Sequence, residues 1–215
     1  MALGHAEYSR ILDLQRRLHA RRCEGEIGDV LLTVEHDPVF TIGRTGSRDN
    51  LLVSENEAAA SGIEVVEVER GGDITYHGPG QLVVYPIVDL RDYGKDIHQF
   101  ITVLETSIIG VLQGLGIRAS LRDGFPGVWV DLRKIASVGV YVKKWISYHG
   151  VALNVAVNAD HFGMIRPCGL SVEIVSINDL HRPAVHLADV ESDMIDQLSA
   201  RWYRRIIPSE LIEVM

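Results

Sequence analysis

Arg70-Gly71-Gly72-Asp73-Ile74-Thr75-Tyr76-His77-Gly78-Pro79-Gly80-Gln81 is the stretch on which the reading of this chain turns. Gly71, Gly72, Gly78 and Gly80 permit left-handed or strained backbone and let the main chain come close to a ligand. Arg70, Tyr76 and His77 set polar groups beside that open backbone. The stretch is neither a Walker loop nor a dinucleotide fingerprint, because it has no Gly-Lys-Ser/Thr and no G-x-G-x-x-G opening a helix. A pair of turns flanking a strand is the plainer alternative.

Outward from this loop the chain is rich in short strands. Ile63–Val68 runs into it and Gln81–Val88 runs out of it, with Pro86 pointing to an edge or a bulge. Val30–Val34 and Val39–Ile42 are further strands, and β segments are expected at 117–121, 127–131, 134–142 and 149–157. Apolar residues at helical spacing predict helices over 6–21, 96–115 and 186–205, with a short one over 55–61 capped by Ser54. Helices and strands alternate irregularly. That pattern predicts an α/β fold of the α+β, mixed-sheet kind rather than a doubly wound parallel sheet. With no internal repeat and no low-complexity linker, residues 1–215 read as a single domain.

Composition narrows the function. A net charge of -8 argues against general nucleic-acid binding. No apolar run approaches the ~18 residues of a membrane span, and the N-terminus has no basic region followed by an apolar core, so no secretory signal is expected. Cys23 and Cys168 suit neither a disulfide framework nor a zinc site, which predicts a reducing, cytoplasmic setting. Arg118, Arg122, Arg133, Lys134, Lys143 and Lys144 outnumber Asp123 and Asp131 between residues 118 and 144. Such a run is either a solvated face or a docking patch for an acidic partner.

Cys168, in Arg166-Pro167-Cys168-Gly169, is a candidate nucleophile. A free thiol has a pKa of ~8.5 and needs a positive neighbour or a base to react near neutrality. Gly169 leaves backbone amides open to a developing oxyanion. The alternative is a structural cysteine. Lys134, at the start of a β segment, is either solvated or, if partly buried, a group that depresses a thiol pKa or serves as a base. His149, on a strand edge, and His36, before the Asp37-Pro38 turn signal, are either satisfied histidines or supporting groups.

Together these motifs are far more specific than any one alone. The chain resembles the lipoate-protein ligase B, or lipoyl/octanoyl transferase, family. The resemblance rests on Glu35 through Arg44, Arg70 through Gln81, Pro126 through Val130, Lys134 through Gly139, His149 through Asn154, and Pro167-Cys168-Gly169, in that order over roughly residues 30–180. It implies the catalytic-domain fold of biotin and lipoate ligases. It also implies transfer of an octanoyl or lipoyl group from acyl carrier protein to a lysine of a lipoyl domain, as found in 2-oxoacid dehydrogenase complexes and the glycine cleavage H protein. Cys168 is then the thioester nucleophile and Lys134 its partner. The acyl group is expected along Arg70, Gly71, Gly72, Asp73, Ile74, Thr75, Tyr76 and His77, along Ser137, Val138 and Gly139, and along Gly150, Val151 and Ala152, with His149 in support. No cofactor and no metal are implied.

The chemistry agrees with this expectation. Exchange between two thioesters is nearly even in energy and needs no ATP, whereas the final amide is downhill. Three rivals stand beside it: an ATP-dependent ligase on the same fold, a thiol hydrolase pairing Cys168 with His77 or His149, and a non-catalytic binder of lipoyl domains.

Overall fold

Side-chain alternation along three neighbouring strands divides the interior in two. In β2 (Val30–His36), Leu31 faces one core and Leu32 and Val34 the other; β6 (Gln81–Ile87) separates Leu82 and Val84 from Val83 and Tyr85 in the same way. In β10 (Ile146–Asn154), Val151 and Leu153 face the first core, Tyr148 and Ala152 the second. A period of two with both faces buried demands cover on both sides. The computed structural model, which describes residues 1–166, 172–202 and 204–207, supplies it with helices. Helices α3 (Ile97–Gly114) and α6 (Leu187–Trp202) pack together on the first face, and α1 (Tyr8–Cys23) covers the second. The α3 side chains Phe100, Leu104, Ile108 and Leu112 are all buried, each contributing about 1.5–3 kcal/mol of transfer free energy.

The large sheet also contains β1 (Ala2–Ala6), β7 (Ser120–Arg122), β8 (Phe125–Val130) and β9 (Arg133–Lys143), in the order β1-β2-β6-β10-β9-β8-β7. Among its described strands only the β1–β2 pair is parallel. A second sheet places β3 (Val39–Ile42) between β4 (Glu64–Glu67), parallel to it, and β5 (Ile74–His77), antiparallel. Helix α2 (Glu55–Ala60), opened by a capping box between Ser54 and Glu57, packs through Ala58 against this smaller sheet. The mixed α/β class expected from the sequence is the one observed.

The glycine-dense stretch contains a strand, β5, between its turns, as the turn–strand–turn alternative expected. Gly80 closes it at φ 82°, pressed against the carbonyl of Ala156 so tightly that no side chain fits. Pro86 lies in an inner strand rather than on an edge. The β6–β10 ladder pairs Leu82 with Leu153 and Val84 with Val151 and stops there, so the missing N–H of Pro86 falls where the ladder is open. The C-terminal helix ends at Trp202, earlier than the predicted 205. β1 was not legible in the sequence.

Candidate active site

A line of small residues makes the cavity. Across the β9–β10 ladder, Ser137 stands opposite Ala152 and Gly139 opposite Gly150. By alternation they share the face on which Tyr141 and Tyr148 pack under α1. Four small side chains leave a trough, and Arg70–Asp73 and β5 lie over it, enclosing about 470 Å³. The roof is pinned at several points. The Gly71 N–H donates to the Val140 carbonyl at 2.9 Å. The buried Arg70 guanidinium donates to the Thr41 carbonyl (2.6 Å), the Thr41 hydroxyl (2.8 Å) and the Gly71 carbonyl (3.1 Å). A Cβ at Gly139 would sit 3.0 Å from both Arg70 Cδ and the Gly71 carbonyl, so roof and floor meet where glycine allows it.

Tyr8, Tyr85, His77 and His149 line one end of the cavity. His36 Nδ1 lies 3.1 Å from the Ala6 carbonyl, which can only accept; that nitrogen therefore carries the proton, and Nε2 accepts from the Tyr85 hydroxyl at 2.8 Å. His77 Nδ1 is 2.7 Å from Gln81 Oε1 and its ring stacks on Tyr8. Burial lowers both imidazoles, to about 4 for His36 and about 3 for His77, so both are neutral at pH 7. His149 lies inside β10 rather than on an edge, buried, with φ 57°. Its N–H leaves the ladder and donates to Gln15 Oε1 at 2.9 Å. Its Nε2 stands 3.6 Å from Glu69 Oε2, an ion-pair distance beyond hydrogen-bond length. The facing His149 and the Arg16 guanidinium, 2.7 Å from Oε1, hold the Glu69 carboxyl below its ordinary range against its own desolvation.

Lys134 lines the opposite end of the same cavity, with Phe125, Pro126 and Trp129. A bulge between Val128 and Trp129 breaks the β8–β9 register, so that Trp129 rather than Val130 stands opposite Lys134. Lys134 Nζ lies 5.5 Å from the Trp129 ring centroid. Gly127, at φ 115°, packs on the lysine stem; a Cβ there would come within 2.7 Å of Lys134 Cε. The Gly127 N–H donates to Oε1 of Glu105, a buried carboxylate on α3, at 2.8 Å. Burial pushes the Glu105 carboxyl up, and Gly127 and Lys134 pull it back.

Cys168 lies outside the described residues, but both flanks of its segment are fixed. Upstream, the Arg166 N–H donates to the Asn50 carbonyl at 2.8 Å and Leu51 bridges Ile165. Asn50 is itself held by Asp73, whose Oδ2 accepts from its side-chain amide at 2.6 Å. Downstream, Lys134 donates its N–H to the Glu173 carbonyl (2.8 Å) and its carbonyl accepts from Val175 N–H (3.1 Å).

Of the residues singled out in the sequence, Arg70 to Thr75, His77, Lys134, Ser137 to Gly139 and His149 to Ala152 border this one cavity. Tyr76 does not. It points to the other side of β5, packs on Phe40 and Phe162, and pairs its hydroxyl with His161 Nδ1 at 2.8 Å. Sequence reasoning missed Tyr8, Tyr85, Asn50 and Glu105. The last left a signal: an acid between Leu104 and Ile108 on the apolar stripe of a helix. The basic run divides, too. Arg122 packs its guanidinium 4.5 Å from the Phe125 ring beside Trp129. Lys143 and Lys144 belong to the β9–β10 turn, about 30 Å along the strand from Lys134.

Among the described residues no helix is long and apolar enough to cross a membrane, and no group of three or more His, Cys, Asp or Glu is placed to hold a metal. The chain is 45% identical over 211 residues to an octanoyltransferase of Syntrophobacter fumaroxidans, a match covering 96% of this chain and 92% of that one. Its fold is that of a lipoate-protein ligase A solved with ATP (TM-score 0.76, 17% identity, 97% and 87% of the two chains). A bipartite lipoate protein ligase of Thermoplasma acidophilum, solved in a study with its E2 lipoyl domain, is similar in the same way (TM-score 0.70, 17% identity, 94% and 84%). A family model for the lipoyl protein ligase A/B catalytic domain matches residues 7–199. Given that match and that level of identity, the chain belongs to the lipoyl protein ligase A/B catalytic-domain family.

Proposed function

We propose that the chain is an octanoyltransferase, working as one catalytic domain in the cytoplasm, that carries an octanoyl or lipoyl group from acyl carrier protein to a lysine of a lipoyl domain. The observation that carries this reading is the cavity itself: a trough floored by Ser137, Gly139, Gly150 and Ala152 that leads to Lys134, with Lys134 also anchoring the strand downstream of Cys168. The flexible acyl chain lies in this trough, where each buried methylene contributes about 0.8 kcal/mol.

In the first half-reaction the Cys168 thiolate attacks the donor thioester carbonyl. A C–S bond forms to Cys168, the donor C–S bond breaks, and the carrier thiol leaves with a proton. Lys134, as the ammonium, favours the thiolate. In the second, the acceptor lysine amine attacks the acyl-enzyme, an amide forms, and Cys168 leaves as thiolate. Lys134, having given up its proton, takes the one released by the amine. Burial lowers the pKa of both His77 and His149, which makes either a weak base for a thiol hydrolase. Acceptors among 2-oxoacid dehydrogenase lipoyl domains and the glycine cleavage H protein fit the same chemistry.

The test is transfer without nucleotide. Octanoyl-acyl carrier protein, an apo lipoyl domain and the chain, mixed in the absence of ATP, should yield a singly octanoylated acceptor. Modification that requires free octanoate and ATP would assign the protein to the ligases instead.

A further inference from the structure

We propose that Glu105 is the positioning counter-charge of Lys134. Glu105 stands on the face of α3 that supplies Phe100, Leu104, Ile108 and Leu112 to the core, and it is 7% exposed. A carboxylate among such neighbours needs partners. The structure gives it one directly, the Gly127 N–H at 2.8 Å, and that glycine is the residue against which the Lys134 stem lies. One carboxylate thereby fixes the backbone that cradles the lysine and lies near enough for the two charges to act on each other. The other described groups around Lys134 make different contacts. Arg122 shares the Trp129 ring and is itself cationic. Arg133 is paired with Asp131, which is exposed at the turn. Glu173 meets Lys134 through its backbone carbonyl, and Cys168 lies in the segment that follows Arg166.

The consequence concerns when Lys134 holds its proton. With Glu105 ionised, the ammonium form is favoured in the resting protein, which is the form that stabilises a thiolate. Removing the charge while keeping the hydrogen-bond acceptor should release the proton more easily. This inference rests on the proposed role of Lys134, but its measurement does not use catalysis.

The experiment is competitive labelling of Lys134 with acetic anhydride across pH, read by mass spectrometry, in the wild type and in Glu105→Gln. The glutamine oxygen can still accept from Gly127. The midpoint of Lys134 labelling should fall by about one pH unit, a tenfold change in the proton affinity of that amine. An unchanged midpoint in a folded Glu105→Gln protein would reduce Glu105 to a clamp on Gly127 and overturn the proposal. The reciprocal measurement covers a variant that fails to fold: in Lys134→Met, the Glu105 carboxyl followed by carbon NMR should titrate at higher pH than in the wild type. No movement there would overturn it equally. Failure of octanoyl transfer would leave both readouts intact, so the two readings fail separately.

Discussion

Gly139 on β9 stands directly opposite Gly150 on β10, with Ser137 and Ala152 the next small pair on the same face. This places an opening on the α1 side of the large sheet beneath the Arg70 roof. Filling it should block the acyl chain without unmaking the sheet. Ser137→Leu is expected to slow acyl-enzyme formation by at least about tenfold, since a branched side chain then competes for the volume of the substrate. Thermal stability should change little because Ser137 is half-buried. Stopped-flow acylation together with a melting curve checks this; unaltered acylation would mean that the chain lies elsewhere.

The Asp73–Asn50 bond supports the start of the segment containing Cys168. Asn50→Ala removes the amide that Asp73 accepts at 2.6 Å and loosens the 3-10 turn whose Asn50 carbonyl holds Arg166. A lost buried hydrogen bond of this kind costs about 1–3 kcal/mol. The rate of acyl-enzyme formation should fall while KM for the acceptor domain holds. A fall in stability with no change in that rate would detach Asn50 from the site.

Arg122 and Lys143 separate the two ends of the basic run. Charge reversal at Arg122, beside Phe125 and Trp129 at the Lys134 end of the cavity, should raise KM for acyl carrier protein several-fold, most strongly at low salt. Reversal at Lys143, at the far turn, should not. Equal effects from the two would argue for a diffuse field rather than a docking edge.

Two buried histidines set the acid side of stability. His36 and His77 titrate at about 4 and about 3 in the fold, against ~6.5 in an unfolded chain. Each is depressed, so the unfolded state binds more protons between those values. Their stabilisation is present above pH ~6.5 and drains away as pH falls toward the folded values, by up to about 1.4 kcal/mol per pH unit for each. The melting temperature should therefore drop from pH 7 to 4.5, and more shallowly in His36→Phe. Parallel slopes in the two proteins would contradict it.

Legibility from sequence followed the range of the interactions involved. β2, β3 and β6 were readable because apolar runs and turn residues are local signals, and Ser54 announced α2 as its N-cap. β1 carries no such signal: it is an edge strand whose residues are mostly exposed. Pro86 read as an edge or a bulge because proline removes a donor, yet an inner strand tolerates it where the ladder with β10 is already open. The cavity residues stood in recognisable motifs, but Tyr76 follows strand alternation and turns away. Glu105 reaches Gly127 only through the packing of α3 on β8, a relationship no window of sequence contains.

The intact mass of the protein after exposure to octanoyl-acyl carrier protein tests the central claim most directly, with Cys168→Ser alongside. One octanoyl group should appear on the wild type, be released by hydroxylamine, and be absent from the variant, whereas Cys23→Ser should behave as wild type. An adduct that survives in Cys168→Ser, or none in the wild type while the acceptor is still modified, would contradict transfer through Cys168.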